Sequence, residues 1–209
     1  MSHSASGFSA GRRSCVLILS AYYRHKNLKI FPQVAFELQK LEPGIDFEFC
    51  LTLAPTTAPW KAILLKSREI GVPDHIKTLG VVPLDALALA YQKASAVLLP
   101  TLREASTAVY PESFYFRRPL VASDLDFARE LCGDAALYAA PTDAKGFATR
   151  LRVLATDDEV VRSQVSRGVR RLEQAYPTAE SKLNQQIELL LCIAARSGPH
   201  TALARSERS

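Results

Sequence analysis

Two short segments of the chain concentrate charged side chains. Residues 20–27 (SAYYRHKN) include Arg24 and Lys26, and residues 101–109 (TLREASTAV) include Glu104. A lysine or arginine binds phosphate oxygens, and a carboxylate stabilises positive charge that develops during a reaction. If the fold brings the two segments together, this combination predicts a site for a polar, phosphorylated ligand rather than a packing role.

Several common phosphate and metal motifs are absent from the sequence. There is no GxGxxG and no GxxxxGK[ST], so neither the dinucleotide fingerprint nor the Walker phosphate loop is available. The four cysteines are far apart and form no CxxC pair, so no zinc site or disulfide framework is expected. Cys15, Cys50 and Cys192 lie in apolar runs and are predicted to be buried thiols.

A helix N-terminus is the remaining device for binding phosphate. A helix is predicted to begin near residues 107–110, directly after an apolar run that ends at Pro100. Its free N–H groups and positive dipole end would face the ligand, and Lys26 would add a charge from the opposite side.

The composition is that of an ordinary globular protein. The chain has 209 residues, of which 48% are hydrophobic and 22% are charged, enough for one domain with tails. The net charge of +5 suggests an anionic partner, and nucleic acid, anionic lipid headgroups and phosphorylated small molecules all fit that charge. No apolar run approaches the ~20 residues that a membrane-spanning helix needs, and no signal peptide is expected.

Short apolar runs alternate with amphipathic helical segments along the chain. This alternation predicts a doubly wound parallel α/β sheet of about six strands, in which strands buried on both faces are nearly continuously apolar. The commonest strand order is 3-2-1-4-5-6, which places the ligand crevice between strands 1 and 4, where the two charged segments fall. The predicted strands are Cys15 to Ser20, Asp46 to Leu51, Ile76 to Gly80, Ala96 to Pro100, Leu120 to Ser123 and Ala136 to Tyr138.

The ends of several helices can be predicted from single residues. Asp124 or Asp126 is expected to cap a short helix that Gly133 ends, and Asp143 is expected to cap the next one. Near the C-terminus, residues 178–195 are predicted to form an amphipathic helix. Its apolar stripe comprises Leu183, Ile187, Leu190, Leu191 and Ala194.

The central part of the sequence resembles the donor-site region of the retaining GT-B glycosyltransferases. Within residues 98–143, Glu104 and Glu112 are separated by seven residues, which is that family's signature. Residues 25–28 (HKNL) resemble the companion signature after strand 1, and residues 79–82 (LGVV) resemble the loop that contacts the nucleotide base. The resemblance implies one Rossmann-like half of a GT-B architecture, with a helical C-terminal extension.

The resemblance also implies a role for each matched residue. The donor would be a nucleotide-diphosphate-sugar, with no cofactor and no metal. Lys26 and Glu104 would be the catalytic residues. By matched position, Lys26 would contact the diphosphate, and Glu104 would lie beside the transferred sugar. Glu112 would accept hydrogen bonds from the ribose hydroxyls, and Val81 lies in the base-contacting loop. The backbone amides that would hold phosphate oxygens are those of Thr107, Ala108 and Val109.

Two departures from the family pattern weaken the expected diphosphate site. Ala21 occupies the position of the family's arginine, so half of the cationic clamp is missing unless Arg24 or Arg103 replaces it. Residues 105–107 (AST) stand where the family tends to have glycines, and side chains there crowd the approach of phosphate to the backbone. These departures support an alternative interpretation, a non-catalytic nucleotide-sugar-binding or interaction domain derived from the same fold.

The expected organisation is a flexible tail (1–14), the nucleotide-sugar-binding domain (15–176), a crossover helix (177–196) and a second flexible tail (197–209). The leading hypothesis is the donor-binding half of a transferase that moves a hexose to a glycan or lipid-linked acceptor. A separate acceptor-binding chain or a second copy would complete it, nucleic acid is not an expected partner, and the expected location is the cytoplasm or the inner membrane surface. The sequence does not specify the sugar, the base or the acceptor.

Overall fold

Six apolar runs form a single parallel sheet in the computed structural model, which describes residues 13–104 and 107–196. The strand order is β3-β2-β1-β4-β5-β6, so the predicted order and its reversal between β1 and β4 are confirmed. The strands are β1 (Ser14–Ile18), β2 (Phe47–Leu51), β3 (Ile76–Thr78), β4 (Ala96–Leu99), β5 (Leu120–Ser123) and β6 (Ala136–Ala139).

Helices connect the strands and continue to the C-terminus. They are α1 (Phe31–Leu41), α2 (Ala58–Glu69), α3 (Leu87–Lys93), α4 (Val109–Tyr115), α5 (Asp126–Cys132), α6 (Ala144–Thr156), α7 (Asp158–Ala175) and α8 (Ala179–Arg196). Short 3-10 turns cover Arg24–Lys26, Leu28–Ile30, Pro73–His75 and Leu84–Ala86. The chain divides into two compact units, one up to Ala175 and one from Tyr176 onward.

The sheet is buried on both faces, which is why its strands lack polar alternation. Val16 and Phe49 belong to one core cluster, together with buried residues of α1, α2 and α6. Leu17 and Val97 point to the opposite face because side chains alternate along a strand, and both are completely buried as well. A core on both faces fixes the carboxyl ends of the strands as a rigid platform.

Two of the predicted helix ends are confirmed and one is wrong. The Asp143 carboxylate accepts a 2.8 Å hydrogen bond from the Gly146 N–H and caps α6, and Gly133 ends α5 with a φ of 58°. Leu125, rather than an aspartate, is the N-cap of α5. The Asp124 carboxylate is instead engaged by Arg129, with N–O distances of 2.7 and 2.8 Å, so it is not available to cap the helix.

The cysteines do not all behave as their apolar surroundings predict. Cys50 is buried and Cys15 is half-buried, but Cys192 is exposed, so the prediction of burial is wrong for Cys192. Cys192 lies in α8, where Ile187 and Leu191 are also 45% and 64% exposed. An apolar stripe shows that a helix has an apolar face, but it does not show which element covers that face. Whether Cys192 is buried therefore could not be deduced from the sequence.

The predicted tails lie mostly outside the described residues. Residues 1–12 and 197–209 are not described, whereas Ser14, which was assigned to the first tail, begins β1 and pairs with Phe47. Across the described part of the chain, no helix is both long and apolar enough to cross a membrane.

Candidate functional site

The two charged segments lie next to each other at the carboxyl ends of neighbouring strands. β1 and β4 pair directly, so the loop after each strand opens on the same edge of the sheet. The loops are hydrogen-bonded through the His25 carbonyl, which accepts from the Leu102 N–H at 2.7 Å and from Thr101 Oγ1 at 3.0 Å. The sheet therefore holds both loops in one fixed arrangement.

Asn27 joins a third loop to this arrangement. Its backbone is left-handed, with a φ of 57°, a conformation that asparagine tolerates better than most residues. Its Nδ2 donates to the Pro100 carbonyl at 3.2 Å and to the Pro141 carbonyl at 2.8 Å. Asn27 thus connects the loops after β1, β4 and β6. This role could not be predicted from the sequence, because both acceptors are backbone atoms distant along the chain.

Lys26 and Glu104 form an ion pair between the first two loops. The Lys26 ammonium contacts Glu104 Oε2, and the two side chains are only 16% and 12% exposed. A charge-assisted bond in such a shielded position is strong, and it holds both groups in place. The structure therefore brings together the two residues that were predicted to be catalytic.

Glu112 is held by a different partner. It lies in the first turn of α4, and its Oε2 accepts a 2.8 Å hydrogen bond from the hydroxyl of Tyr91 in α3. Burial raises the pKa of Tyr91, and the bond to the carboxylate raises it further, so the hydroxyl remains a donor. Within the described residues no hydrogen bond or ion pair joins Glu112 to Lys26 or Glu104.

The remaining predicted donor-site residues lie around α4 and the loop after β1. Arg24 is exposed, and none of the ion pairs among residues 13–104 and 107–196 includes it. The Val109 N–H donates to Thr107 Oγ1 at 3.3 Å, so this amide already has a partner. Ala108 is exposed directly before the helix, and residues 105 and 106 lie outside the described residues.

A cavity of about 760 Å³ opens at the carboxyl ends of β1 and β2. Val81 lies on its rim with 76% of its surface exposed, and Ala21 forms part of its wall. The lining residues are Leu19, Ser20, Ala21, Tyr22, Thr52, Leu53, Ala54, Thr57, Pro59, Val81, Val82, Leu84 and Leu87. Mostly apolar walls of this size suit a flat, largely apolar ligand group. Neither member of the ion pair nor Glu112 lines it.

Most of this cavity was not predicted. The resemblance implies a base-contacting role for the loop of Val81, but no sequence motif points to the walls that Thr52, Ala54 and Pro59 contribute. These residues follow β2, which lies next to β1 in the sheet. The strand order therefore predicts that the loop after β2 reaches the same crevice.

The sheet order and its switch point define a Rossmann-like domain. The sequence profile of the family described as "Glycosyl transferases group 1" matches residues 13–157, and the chain belongs to that family. No curated protein matches the sequence.

Several solved structures share this fold. Sucrose-phosphate synthase from Thermosynechococcus elongatus superposes with a TM-score of 0.74 at 18% identity, over 87% of this chain and 46% of that chain. The trehalose 6-phosphate synthase of Burkholderia multivorans gives a TM-score of 0.75 at 16% identity, over 89% and 44%. A TarM variant from S. aureus, solved with fondaparinux, α-GlcNAc-glycerol and UDP, gives 0.71 at 14% identity, over 84% and 35%. The chain thus spans less than half the length of each of these proteins.

Proposed function

We propose that this chain is the donor-binding half of a retaining glycosyltransferase that uses a nucleotide-diphosphate-sugar. The observation that carries the proposal is the shielded Lys26–Glu104 pair at the β1/β4 switch point, beside an apolar cavity of about 760 Å³. The cavity suits a nucleoside base, and the adjacent charges suit a diphosphate and a sugar. TarM, a structural relative, was solved with UDP.

The proposed reaction assigns a separate task to each charged group. The bond between the anomeric carbon and the diphosphate oxygen breaks, and an acceptor hydroxyl forms a new bond to that carbon on the same face. The acceptor proton passes to the leaving diphosphate. Lys26 stabilises the negative charge on that leaving group, and Glu104 favours the positive charge that develops on the sugar.

Glu112 and the cavity would position the nucleotide rather than react. A carboxylate that accepts bonds from two ribose hydroxyls makes charge-assisted hydrogen bonds, and Tyr91 fixes the orientation of that carboxylate. Val81 and Ala21 would border the base. No metal or cofactor is required in this proposal, since Lys26 supplies the positive charge.

The acceptor and the rest of the enzyme belong to the same proposal. The structural relatives are more than twice the length that this chain covers, which supports a second, acceptor-binding half on another chain or another part of a longer one. The proposed product is a hexose linked to a glycan or to a lipid-linked acceptor.

A second candidate is a nucleotide-sugar-binding domain that does not catalyse transfer. The observation that favours it is Ala21 in the cavity wall, where the resembling family has an arginine, together with an exposed Arg24 that makes no ion pair in the described parts of the chain. With fewer cationic groups, the site would still bind the diphosphate of the intact donor. It would stabilise less well the negative charge that develops on the diphosphate as it leaves, so transfer would be slow or absent.

Isothermal titration of the full chain with UDP-, GDP- and ADP-sugars tests donor binding. We expect one of the three nucleotides to bind with 1:1 stoichiometry. Lys26→Met should weaken this binding at least tenfold, as expected for loss of a charged hydrogen bond worth about 1.5–3 kcal/mol. Lys29→Met is the matched control, because Lys29 is an exposed lysine three residues further along.

A folded protein that binds none of the three nucleotides would refute the proposal. Equal losses in Lys26→Met and Lys29→Met would show that the loop charge acts nonspecifically. Donor binding without turnover, even with an acceptor-binding half present, would instead establish the second candidate.

A further inference from the structure

Three side chains that can bind metal meet on one face of the sheet, away from the donor loops. Cys15 lies in β1, and Glu48 and Cys50 lie in β2. The strand register pairs Cys15 of β1 with Glu48 of β2, and Cys50 lies two residues after Glu48 in β2. Because alternate residues share a face, all three point away from the core cluster that contains Val16 and Phe49.

The donor atoms are close enough to share one ion. The Sγ atoms of Cys15 and Cys50 are 2.8 Å apart, and Cys50 Sγ lies 3.5 Å from Glu48 Oε1. All three ligand atoms lie within 4.8 Å of one another. Two sulfurs and an oxygen at these distances provide three ligands for one metal ion.

The surroundings already orient the carboxylate. Glu48 Oε2 is engaged by Lys77 Nζ at 2.5 Å, from β3, so Oε1 is the oxygen turned toward the sulfurs. A ligand whose second atom is held by an outer partner is typical of metal sites. Cys50 is 2% exposed and the Glu48 side chain is 17% exposed, whereas Cys15 is half-buried and gives access from solvent.

We propose that Cys15, Glu48 and Cys50 bind a zinc ion, with water as the fourth ligand. Zinc accepts thiolate and carboxylate ligands together, at about 2.3 Å for sulfur and about 2.0–2.2 Å for oxygen. Tetrahedral binding needs the two sulfurs about 3.8 Å apart, so they must separate by roughly 1 Å. Rotation of the half-buried Cys15 side chain supplies that movement.

The two sulfur ligands favour Zn²⁺ over Mg²⁺ or Ca²⁺. Two thiolates select zinc, whereas magnesium and calcium prefer oxygen ligands. Binding releases the thiol protons, and two thiolates with one carboxylate exceed the charge of Zn²⁺ by one negative charge, which Lys77 balances. The bound ion would join β1 to β2 and stabilise the centre of the sheet.

This site differs from a CxxC zinc motif. A CxxC motif places its ligands close together along the chain, whereas here the ligands come from two parallel strands and are brought together by strand register. The cysteine spacing predicts no zinc site, and the family resemblance separately implies no metal in the transfer reaction. The proposed ion departs from the first expectation and leaves the second unchanged, because its role is structural.

Titration of the reduced full-length protein with Co²⁺ is the first test. We expect a sulfur-to-cobalt charge-transfer band and the visible bands of tetrahedral cobalt, saturating at one equivalent and disappearing when Zn²⁺ is added. Zinc should also raise the midpoint of thermal unfolding in a concentration-dependent way, because it binds the folded state.

Three variants locate the ion. Cys15→Ser should abolish the charge-transfer band, and Glu48→Gln, which keeps the shape of the side chain, should weaken cobalt binding about tenfold or more. Cys192→Ser is the matched control, because Cys192 is an exposed cysteine in α8, and it should leave the band unchanged.

Absence of the band in the reduced parent protein would overturn the proposal. So would a band that survives in Cys15→Ser, or one that disappears in Cys192→Ser. If thiol counting shows that Cys15 and Cys50 are joined as a disulfide, and reduction does not restore cobalt binding, the pair is a redox pair and not a metal site.

Discussion

At the scale of single residues, the Lys26–Glu104 pair has a consequence for stability. Both side chains are nearly buried, so each charge depends on the other for compensation. An ion pair of this kind adds little net stability compared with apolar residues, but removing one partner leaves a shielded charge without a counter-ion.

We expect Lys26→Met to destabilise the domain by about 2–3 kcal/mol, because Glu104 would remain shielded and unpaired. The double variant Lys26→Met/Glu104→Leu should recover most of this loss, since neither charge remains. Urea denaturation of the parent, both single variants and the double variant measures the coupling. Additive losses would mean that solvent screens the pair and that it is not a coupled unit.

The Glu112–Tyr91 bond allows stability and binding to be separated. Glu112→Ala should weaken donor binding about tenfold or more, and it should also cost about 1–3 kcal/mol of stability, because the buried Tyr91 hydroxyl loses its acceptor. Adding Tyr91→Phe removes the unsatisfied hydroxyl. The double variant should therefore regain stability but not donor affinity.

Titration calorimetry measures donor affinity, and thermal unfolding measures stability, in the parent, in Glu112→Ala and in the double variant Glu112→Ala/Tyr91→Phe. Normal donor affinity in Glu112→Ala would exclude a ribose contact. Recovery of affinity in the double variant would show that Glu112 acts only by satisfying Tyr91.

At the scale of elements, the position of α4 depends on close packing against α7. A Cβ added at Gly168 of α7 would lie 2.8 Å from Cδ1 of Phe114, a ring in α4 that is 2% exposed. Glycine is a poor helix former, so its presence within α7 is explained by the close approach of the Phe114 ring and not by helix propensity. α4 also carries Glu112, so this contact fixes part of the proposed donor site.

Gly168→Ala should destabilise the domain by about 1–2 kcal/mol, because the overpacking cost of about 1–3 kcal/mol exceeds the gain of up to about 1 kcal/mol in helix propensity. Donor affinity should fall as well, since α4 must shift. Ser166→Ala, an exposed change in the same helix, should be neutral. Increased stability in Gly168→Ala would mean that Phe114 moves without cost.

The Asp124–Arg129 pair makes the free energy of unfolding slightly dependent on pH. The hydrogen bond from Arg129 lowers the pKa of Asp124 below its ordinary value, so the carboxylate contributes stability above that value and the contribution is lost as pH falls through the lowered pKa. Asp124→Asn should therefore cost up to about 1 kcal/mol at neutral pH, because the pair is about half exposed, and nothing in strong acid. Denaturant unfolding at neutral pH and below the ordinary aspartate pKa of about 3.9 measures this difference. A difference that does not change with pH would contradict the assignment.

The elements were largely predictable, because a sheet covered on both faces leaves a clear apolar pattern. β3 ends two residues earlier than predicted, since Thr78 Oγ1 accepts from the Gly80 N–H and Gly80 turns the chain with a φ of 71°. The α5 cap was wrong because Arg129, which is not adjacent, engages the Asp124 carboxylate. Both details depend on local side-chain hydrogen bonds, which the apolar pattern does not reveal.

The candidate site was predictable only where two loops follow neighbouring strands. Lys26 and Glu104 could be placed together from strand order alone. The bond from Tyr91 to Glu112 depends on where a separate helix packs, and sequence periodicity does not give that position. The cysteine–glutamate cluster depends on strand register, which periodicity also leaves open.

At the scale of the whole molecule, the proposal separates donor binding from transfer. The core cluster and every proposed donor residue lie in the unit that ends at Ala175. The structural relatives are more than twice as long as the part that this chain matches, so the acceptor is expected to bind elsewhere.

We expect the chain alone to bind a nucleotide sugar but to transfer no sugar to an added acceptor. Radiolabelled donor measures both activities, as retention on the protein and as incorporation into a glycan or lipid-linked acceptor. Supplying an acceptor-binding half should restore incorporation. Robust transfer by a monomer of this chain, verified by light scattering, would contradict the need for a second half.

The side chain of Asn27 has a consequence for how the donor loops open. Its amide bonds the carbonyls of Pro100 and Pro141, so the loop after β1 cannot move away without breaking its links to two other loops. Local opening would then be cooperative across the three loops, with their backbone amides exchanging hydrogen together and slowly. Because Asn27 already holds Pro100 and Pro141 in place, a donor that enters this edge of the sheet would lose little affinity to the entropy of ordering these three residues.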